Sequence, residues 1–242
     1  MHREYHKWWS SRLNRDMELL VIGHAGAKVL VFPTRGGRFY EFEQMRMPPV
    51  LQEKINGGFF QFYCLDGIDS ESFYCRWAHP EGRIQRYIQY QEYILNEVFP
   101  LMQAKNPHPC TISYGCSLGA YQAANFAFRY PHLFHKLVAF SGRYDLARRF
   151  DDFDNLFDGH YSENIYFNTP THFLPNLGCP EQLDSLRRMD IVLTVGREDP
   201  FRESNEELSD ILNRKGVGHQ IHHWDGRAHR GHSWRKMAWL YL

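Results

Sequence analysis

The sequence predicts an α/β fold with a mostly parallel central sheet and helices on both faces. Three observations predict it. Short β-rich apolar runs alternate with longer segments of helical periodicity. One of those runs leads straight into Gly115-Cys116-Ser117-Leu118-Gly119 and then into an alanine-rich segment. The length of 242 residues suits one such domain, spanning 1–242, around a single large core.

Taken in order, Met17 to Ile22 and Lys28 to Phe32 are β-rich runs separated by Gly23-His24-Ala25-Gly26, a spacing that predicts a hairpin. Phe59 to Leu65 forms a third run. A helix follows, with Ile84, Tyr87, Ile88, Ile94, Leu95, Val98, Leu101 and Met102 on one periodic face and Pro107 and Pro109 beyond its end. Strands are expected at Thr111 to Tyr114, Leu137 to Phe140, Ile191 to Val195 and Gln220 to Trp224. Ala120, Ala123, Ala124 and Ala127 mark a helix whose small stripe packs close to the sheet. Ser204 and Glu207 have the spacing of a capping box for a helix that stops at Gly216, and a last helix covers Trp234 to Leu242.

Composition excludes several function classes. Lys plus Arg and Asp plus Glu are equal at 28 each, so no strong field draws nucleic acid or an anionic membrane. No stretch approaches the roughly 20 apolar residues of a membrane span, and the polar start does not read as a signal peptide. Five cysteines, an odd number without paired metal spacing, read as reduced thiols. A cytoplasmic location is therefore expected. Oligomeric state leaves no trace in the sequence.

In a mostly parallel sheet, ligands bind beyond the carboxyl ends of the strands. Gly115-Cys116-Ser117-Leu118-Gly119 stands there, in the strand–turn–helix context that a nucleophile elbow requires. The glycines leave room for a tight turn that lifts the Ser117 hydroxyl clear of the sheet. A serine needs a positioned base, and in folds built on this elbow the chain order is Ser, acid, His, each after a strand. Gly196-Arg197-Glu198-Asp199-Pro200 supplies the acid; Asp199 is preferred, with Glu198 its competitor. After the last run, His229 and His232 both qualify as base. His232 is preferred, because Gly231 permits a tight loop and Trp234 anchors the final helix. His219, His222, His223, His229 and His232 form no familiar zinc spacing, so no metal and no other cofactor is expected. The oxyanion donors are expected to be the backbone N–H of Leu118 and that of Thr34 or Arg35, in the loop Pro33-Thr34-Arg35-Gly36-Gly37. The Arg35 side chain is also a candidate contact for an anionic substrate group, with no further support in the sequence.

Together these residues resemble the putative esterase family, the α/β-hydrolase branch that contains esterase D (S-formylglutathione hydrolase), feruloyl esterases and mycolyl-transferring enzymes. The likeness extends over most of the chain. It rests on Gly115 to Gly119, on Tyr130-Pro131-His132-Leu133-Phe134 leading to Ser141-Gly142-Arg143-Tyr144-Asp145-Leu146, on Gly196 to Asp199, and on Gly231-His232-Ser233-Trp234. The last segment resembles the family's Gly-His-x-Trp ending, which implies that His232 carries the catalytic imidazole. The resemblance implies an α/β-hydrolase fold and a serine esterase that cleaves a small carboxylic ester through an acyl-enzyme. Acyl transfer to an alcohol, or a non-catalytic binding module on the same fold, are the alternatives. The chain departs from the family's His-Gly-Gly-like oxyanion loop, which leaves Thr34 and Arg35 both open. Phe150 to Leu177 is expected to form a small partial cap, with Phe153, Phe157, Tyr161, Tyr166 and Phe167 available to line a pocket. Asp69 and Glu71, after the third run, either touch substrate or cap a turn.

Overall fold

The computed structural model describes residues 1–242. Eight strands form one sheet in the order β1-β2-β4-β3-β5-β6-β7-β8. They are β1 (Arg3–Ser10), β2 (Arg15–Ile22), β3 (Ala27–Phe32), β4 (Phe60–Leu65), β5 (Thr111–Cys116), β6 (Lys136–Phe140), β7 (Asp190–Gly196) and β8 (Gln220–Trp224). β2 pairs antiparallel with both β1 and β4, and every other pairing is parallel. The architecture is an α/β-hydrolase fold.

One expectation fails at the amino end, and one strand there was not expected. β2 and β3 do not form a hairpin, because β4 lies between them and pairs with each. The Gly23–Gly26 segment is a crossover turn, with Gly23 and Gly26 at φ of 101° and 89°. β2 instead pairs with β1, a strand the sequence reading passed over. β1 lies at the sheet edge and is only half covered, so polar Arg3, Glu4, His6 and Lys7 are interspersed with Tyr5, Trp8 and Trp9 and no continuous apolar run marks the strand.

The inner strands are covered on both faces, which is why they are apolar throughout. Leu30 and Phe32 of β3 point into the core beneath the long helices, while Val29 and Val31 point into a second core under the short helices near Phe42, Met47 and Leu51 and under the last helix. The first long helix runs from Pro80 to Lys105 and carries one wide turn at Ile94–Val98. That turn absorbs Pro100, which has no N–H for the regular ladder. The helix Leu118–Arg129 buries Ala120, Ala123, Ala124 and Ala127 completely against β5 and β6, as small residues at helical spacing permit.

The helix after β7 starts at Arg202, earlier than the capping-box spacing implies. Ser204 is not its cap: its hydroxyl accepts the Tyr144 N–H at 2.8 Å, and Asn205 donates to the Gly142 carbonyl at 2.8 Å. These bonds moor the helix to the loop after β6. The last helix also starts early, at Gly231 rather than Trp234, and that shift decides which histidine faces the nucleophile. No helix is long and apolar enough to cross a membrane.

Between β6 and β7 the chain makes an excursion with short helical turns at Glu163–Tyr166 and Pro170–Phe173. Arg143, buried, holds its start by donating to the carbonyls of Asp145 and Asp154. The Glu81 carboxyl is held at about 2 by hydrogen bonds from Ser162 first, then from Asn164 and His160. Phe157 packs inward on Phe73, Tyr161 meets His172, and Tyr166 and Phe167 pack on each other. Only Phe153 of the five expected pocket aromatics reaches the ring of Phe201 beside the candidate site, at 4.7 Å.

Candidate active site

Ser117 sits at the junction of β5 and the helix Leu118–Arg129 with φ 55° and ψ −121°, a conformation disfavoured for any residue with a side chain. The strain is held by packing on every side. The Ser117 N–H donates to the Phe140 carbonyl at 2.8 Å. A Cβ on Gly115 would lie 2.1 Å from the Gly119 carbonyl oxygen, and one on Gly119 would lie 2.4 Å from the oxygen of Phe32. Strand, helix and the loop after β3 therefore meet with no room for a methyl group. Gly115→Ala is expected to lower the unfolding free energy by ~3 kcal/mol, since backbone must shift to admit it. Urea unfolding measures this, and an unchanged midpoint would refute the packing account.

The carboxylate arrives from β7. Gly196 closes on the turn after β8 so tightly that a Cβ there would lie 2.1 Å from the Arg227 carbonyl oxygen. The Arg197 N–H reaches the Trp224 carbonyl and the Glu198 N–H that of Gly226, which brings the two loops together. Asp199 is buried with its carboxylate fully shielded, and one oxygen accepts the Phe201 N–H at 3.0 Å. Glu198, its competitor, is exposed.

The imidazole beside Ser117 belongs to His229. Its Nε2 lies 3.0 Å from Ser117 Oγ, and its Nδ1 lies 3.0 and 3.2 Å from the two Asp199 oxygens. With Nδ1–H donating to Asp199, Nε2 is left to accept the serine proton. Phe201 and Trp234 flank the ring edge-on, with centroids 5.6 and 5.2 Å away. His232, the expected base, is not there. It occupies the first turn of the last helix and is exposed on that helix's outer face, among Val50, Trp224, Arg235, Lys236 and Trp239. The physical reason is the early helix start: Gly231 opens the helix instead of a loop, and the turn Gly226–Arg230, with Ala228 at φ 50°, projects His229 inward. Trp234 does anchor this region, donating to the Ser141 hydroxyl at 3.4 Å.

The other histidines scatter. His219 meets Ser209, His222 stacks on Tyr241, and His223 meets Glu206. No group of three metal-ligating side chains converges. Cys116 lies buried against the Tyr114 hydroxyl at 3.3 Å, and burial pushes its thiol well above the ordinary range.

The loop after β3 separates the two oxyanion candidates. The Thr34 N–H is spent on Glu41 Oε2 at 2.7 Å, and the Thr34 hydroxyl donates to the other oxygen of the same carboxylate. Thr34 is therefore corrected as a backbone donor. Glu41 is half buried, and that desolvation pushes its carboxyl upward. The Gly36 N–H donates to Asp69 at 2.9 Å and the Gly37 N–H to the Thr34 carbonyl at 2.9 Å. Only the Arg35 N–H in this turn is without a protein acceptor. Leu118 opens its helix, so its N–H lacks an intrahelical acceptor as well. Asp69 thus shapes the loop, while Glu71 is committed to Arg15 and Arg86 away from it.

Comparison with known proteins bears on the family and the fold. The family model described as Putative esterase matches residues 64–239. No match is found among the curated proteins. Among solved structures, a ferulic acid esterase superposes with a TM-score of 0.73 at 14% identity, covering 100% of this chain and 96% of that one. An S-formylglutathione hydrolase from Agrobacterium tumefaciens gives 0.72 at 14% identity, covering 99% and 92%. One from Staphylococcus aureus gives 0.67 at 15% identity, covering 99% and 97%. At such identities these structures speak for the fold alone.

Proposed function

Because the chain belongs to the Putative esterase family, we propose that it cleaves a small carboxylic ester through an acyl-enzyme formed on Ser117. As a member it is a serine hydrolase acting on ester bonds. The observation that carries the mechanism is the chain of contacts from Asp199 through His229 to Ser117, with heavy atoms 3.0 Å apart at each step.

In this reading His229 Nε2 takes the Ser117 proton as Oγ attacks the ester carbonyl. Asp199, shielded from water, keeps Nδ1 protonated and stabilises the imidazolium that forms. The tetrahedral oxyanion receives the N–H groups of Leu118 and Arg35, while the helix that begins at Leu118 adds its positive end. His229 then returns the proton to the departing alcohol, and water repeats the cycle on the acyl-enzyme. The leaving alcohol lies toward His229 and therefore against Phe201 and Phe153. Residues 150–177 act as a partial cap on that side.

A fluorophosphonate probe tests this directly. One probe is expected to add per chain, on the peptide that contains Ser117, and Ser117→Ala is expected to remain unmodified. A wild-type protein that takes up no probe would remove the reading, and with it would favour a binding module on the same fold.

A further inference from the structure

The sheet order places β3 on one side of β5 and β6, β7 and β8 on the other. Groups that follow β7 and β8 supply the acid and base, so the leaving alcohol belongs on that flank. The acyl part must then extend toward the loops after β3 and β4. Two side chains wait there. The Arg35 guanidinium lies 4.2 Å above the ring of Tyr74 and has no carboxylate at ion-pair distance. The Tyr74 hydroxyl has no hydrogen-bond partner, although its ring is half buried and its backbone is fixed by the Asp69 carbonyl at 2.8 Å.

From this arrangement we propose that the acyl part of the substrate carries a carboxylate, seated between the Arg35 guanidinium and the Tyr74 hydroxyl, so that the enzyme acts on half-esters of short dicarboxylic acids. The inference rests on the esterase reading and names its substrate class.

The surroundings favour an anion. Burial keeps the Tyr74 phenol protonated, hence a donor, while Arg35, Arg143 and Arg76 all bring positive charge toward it. Asp69, the acid of this loop, accepts the Gly36 N–H at 2.9 Å and makes no hydrogen bond to Arg35; burial pushes its carboxyl upward, while the Gly36 bond and the Arg35 charge oppose that shift. Asp66 is paired with Arg38, and Glu41 with Thr34. Arg35 makes no ion pair, and its guanidinium lies over an aromatic ring at 4.2 Å, where a carboxylate can meet it. Its own N–H is the free oxyanion donor, so one residue would contact the reacting carbonyl through its backbone and the remote charge through its side chain.

Mono-4-nitrophenyl succinate and 4-nitrophenyl butyrate test this, because they share a leaving group and differ in the terminal charge. The wild-type enzyme is expected to favour the succinate in kcat/KM, with the preference shrinking as salt is added. Arg35→Gln keeps the backbone N–H and is expected to lower the succinate-to-butyrate ratio by about tenfold or more, as loss of a charge-assisted contact requires. Arg35→Lys should retain part of the ratio, and Tyr74→Phe should lower it severalfold. A ratio that does not move in Arg35→Gln, in an enzyme that hydrolyses butyrate well, would overturn this inference alone. A protein that hydrolyses neither ester would overturn the esterase reading beneath it.

Discussion

Replacing Ser117 by alanine is expected to lower the turnover of 4-nitrophenyl acetate by roughly 10⁴-fold or more while the protein stays folded. The side chain lost is one hydroxyl, half buried, whose removal leaves every bond that shapes the elbow in place: the 117 N–H still reaches Phe140, and the glycines still admit the helix. Any remaining rate would come from binding and the oxyanion donors acting on water. Initial rates with circular dichroism on the same sample separate chemistry from folding. A variant that keeps wild-type turnover would place the nucleophile elsewhere.

The second large effect separates two histidines three residues apart. His229→Ala is expected to lower kcat by roughly 10⁴-fold, because Ser117 loses its only adjacent base and Asp199 is left buried facing a cavity. His232→Ala should leave kcat and kcat/KM within about twofold, since the ring lies exposed on the outer face of the last helix, where substitutions are usually mild. The contrast is informative because fold-level instability would depress both variants, whereas the geometry predicts a gap of several powers of ten. Reversed effects would show that the last helix begins later than Gly231.

Much of this site was legible in the sequence. A strand ending in Gly115-Cys116-Ser117-Leu118-Gly119 and running into a stripe of alanines leaves few other conformations, because the glycines and alanines are the residues that close packing demands. Position after β7 singles out Asp199 and its neighbour Glu198 together, and burial separates the two in the structure. The choice between His229 and His232 was not legible from spacing. It depends on whether Gly231 ends a loop or opens a helix, and glycine serves either role. The likeness of Gly231-His232-Ser233-Trp234 to a familiar ending weighed toward the wrong ring. One signal did favour His229: Trp234, Met237, Ala238 and Tyr241 recur at helical spacing, and extending that helix back by one turn places His232 on its outer face.

The strand pairing near the amino end shows a different limit. Gly23-His24-Ala25-Gly26 is a sound turn, but a turn between two strands does not reveal whether they pair or admit a third. That outcome is decided by β4, which is distant in sequence and buries Phe62, Tyr63 and Cys64 more fully between β2 and β3 than at an edge. Thr34 and Arg35 were likewise inseparable until Glu41, seven residues on, was seen to occupy the Thr34 N–H.

The most direct test is a crystal structure of the chain inhibited by a small fluorophosphonate. The account predicts phosphorus bonded to Ser117 Oγ, the phosphoryl oxygen within hydrogen-bond distance of the Leu118 and Arg35 N–H groups, and His229 held between that centre and Asp199. An adduct on another residue, or an imidazole other than His229 beside the phosphorus, would contradict it.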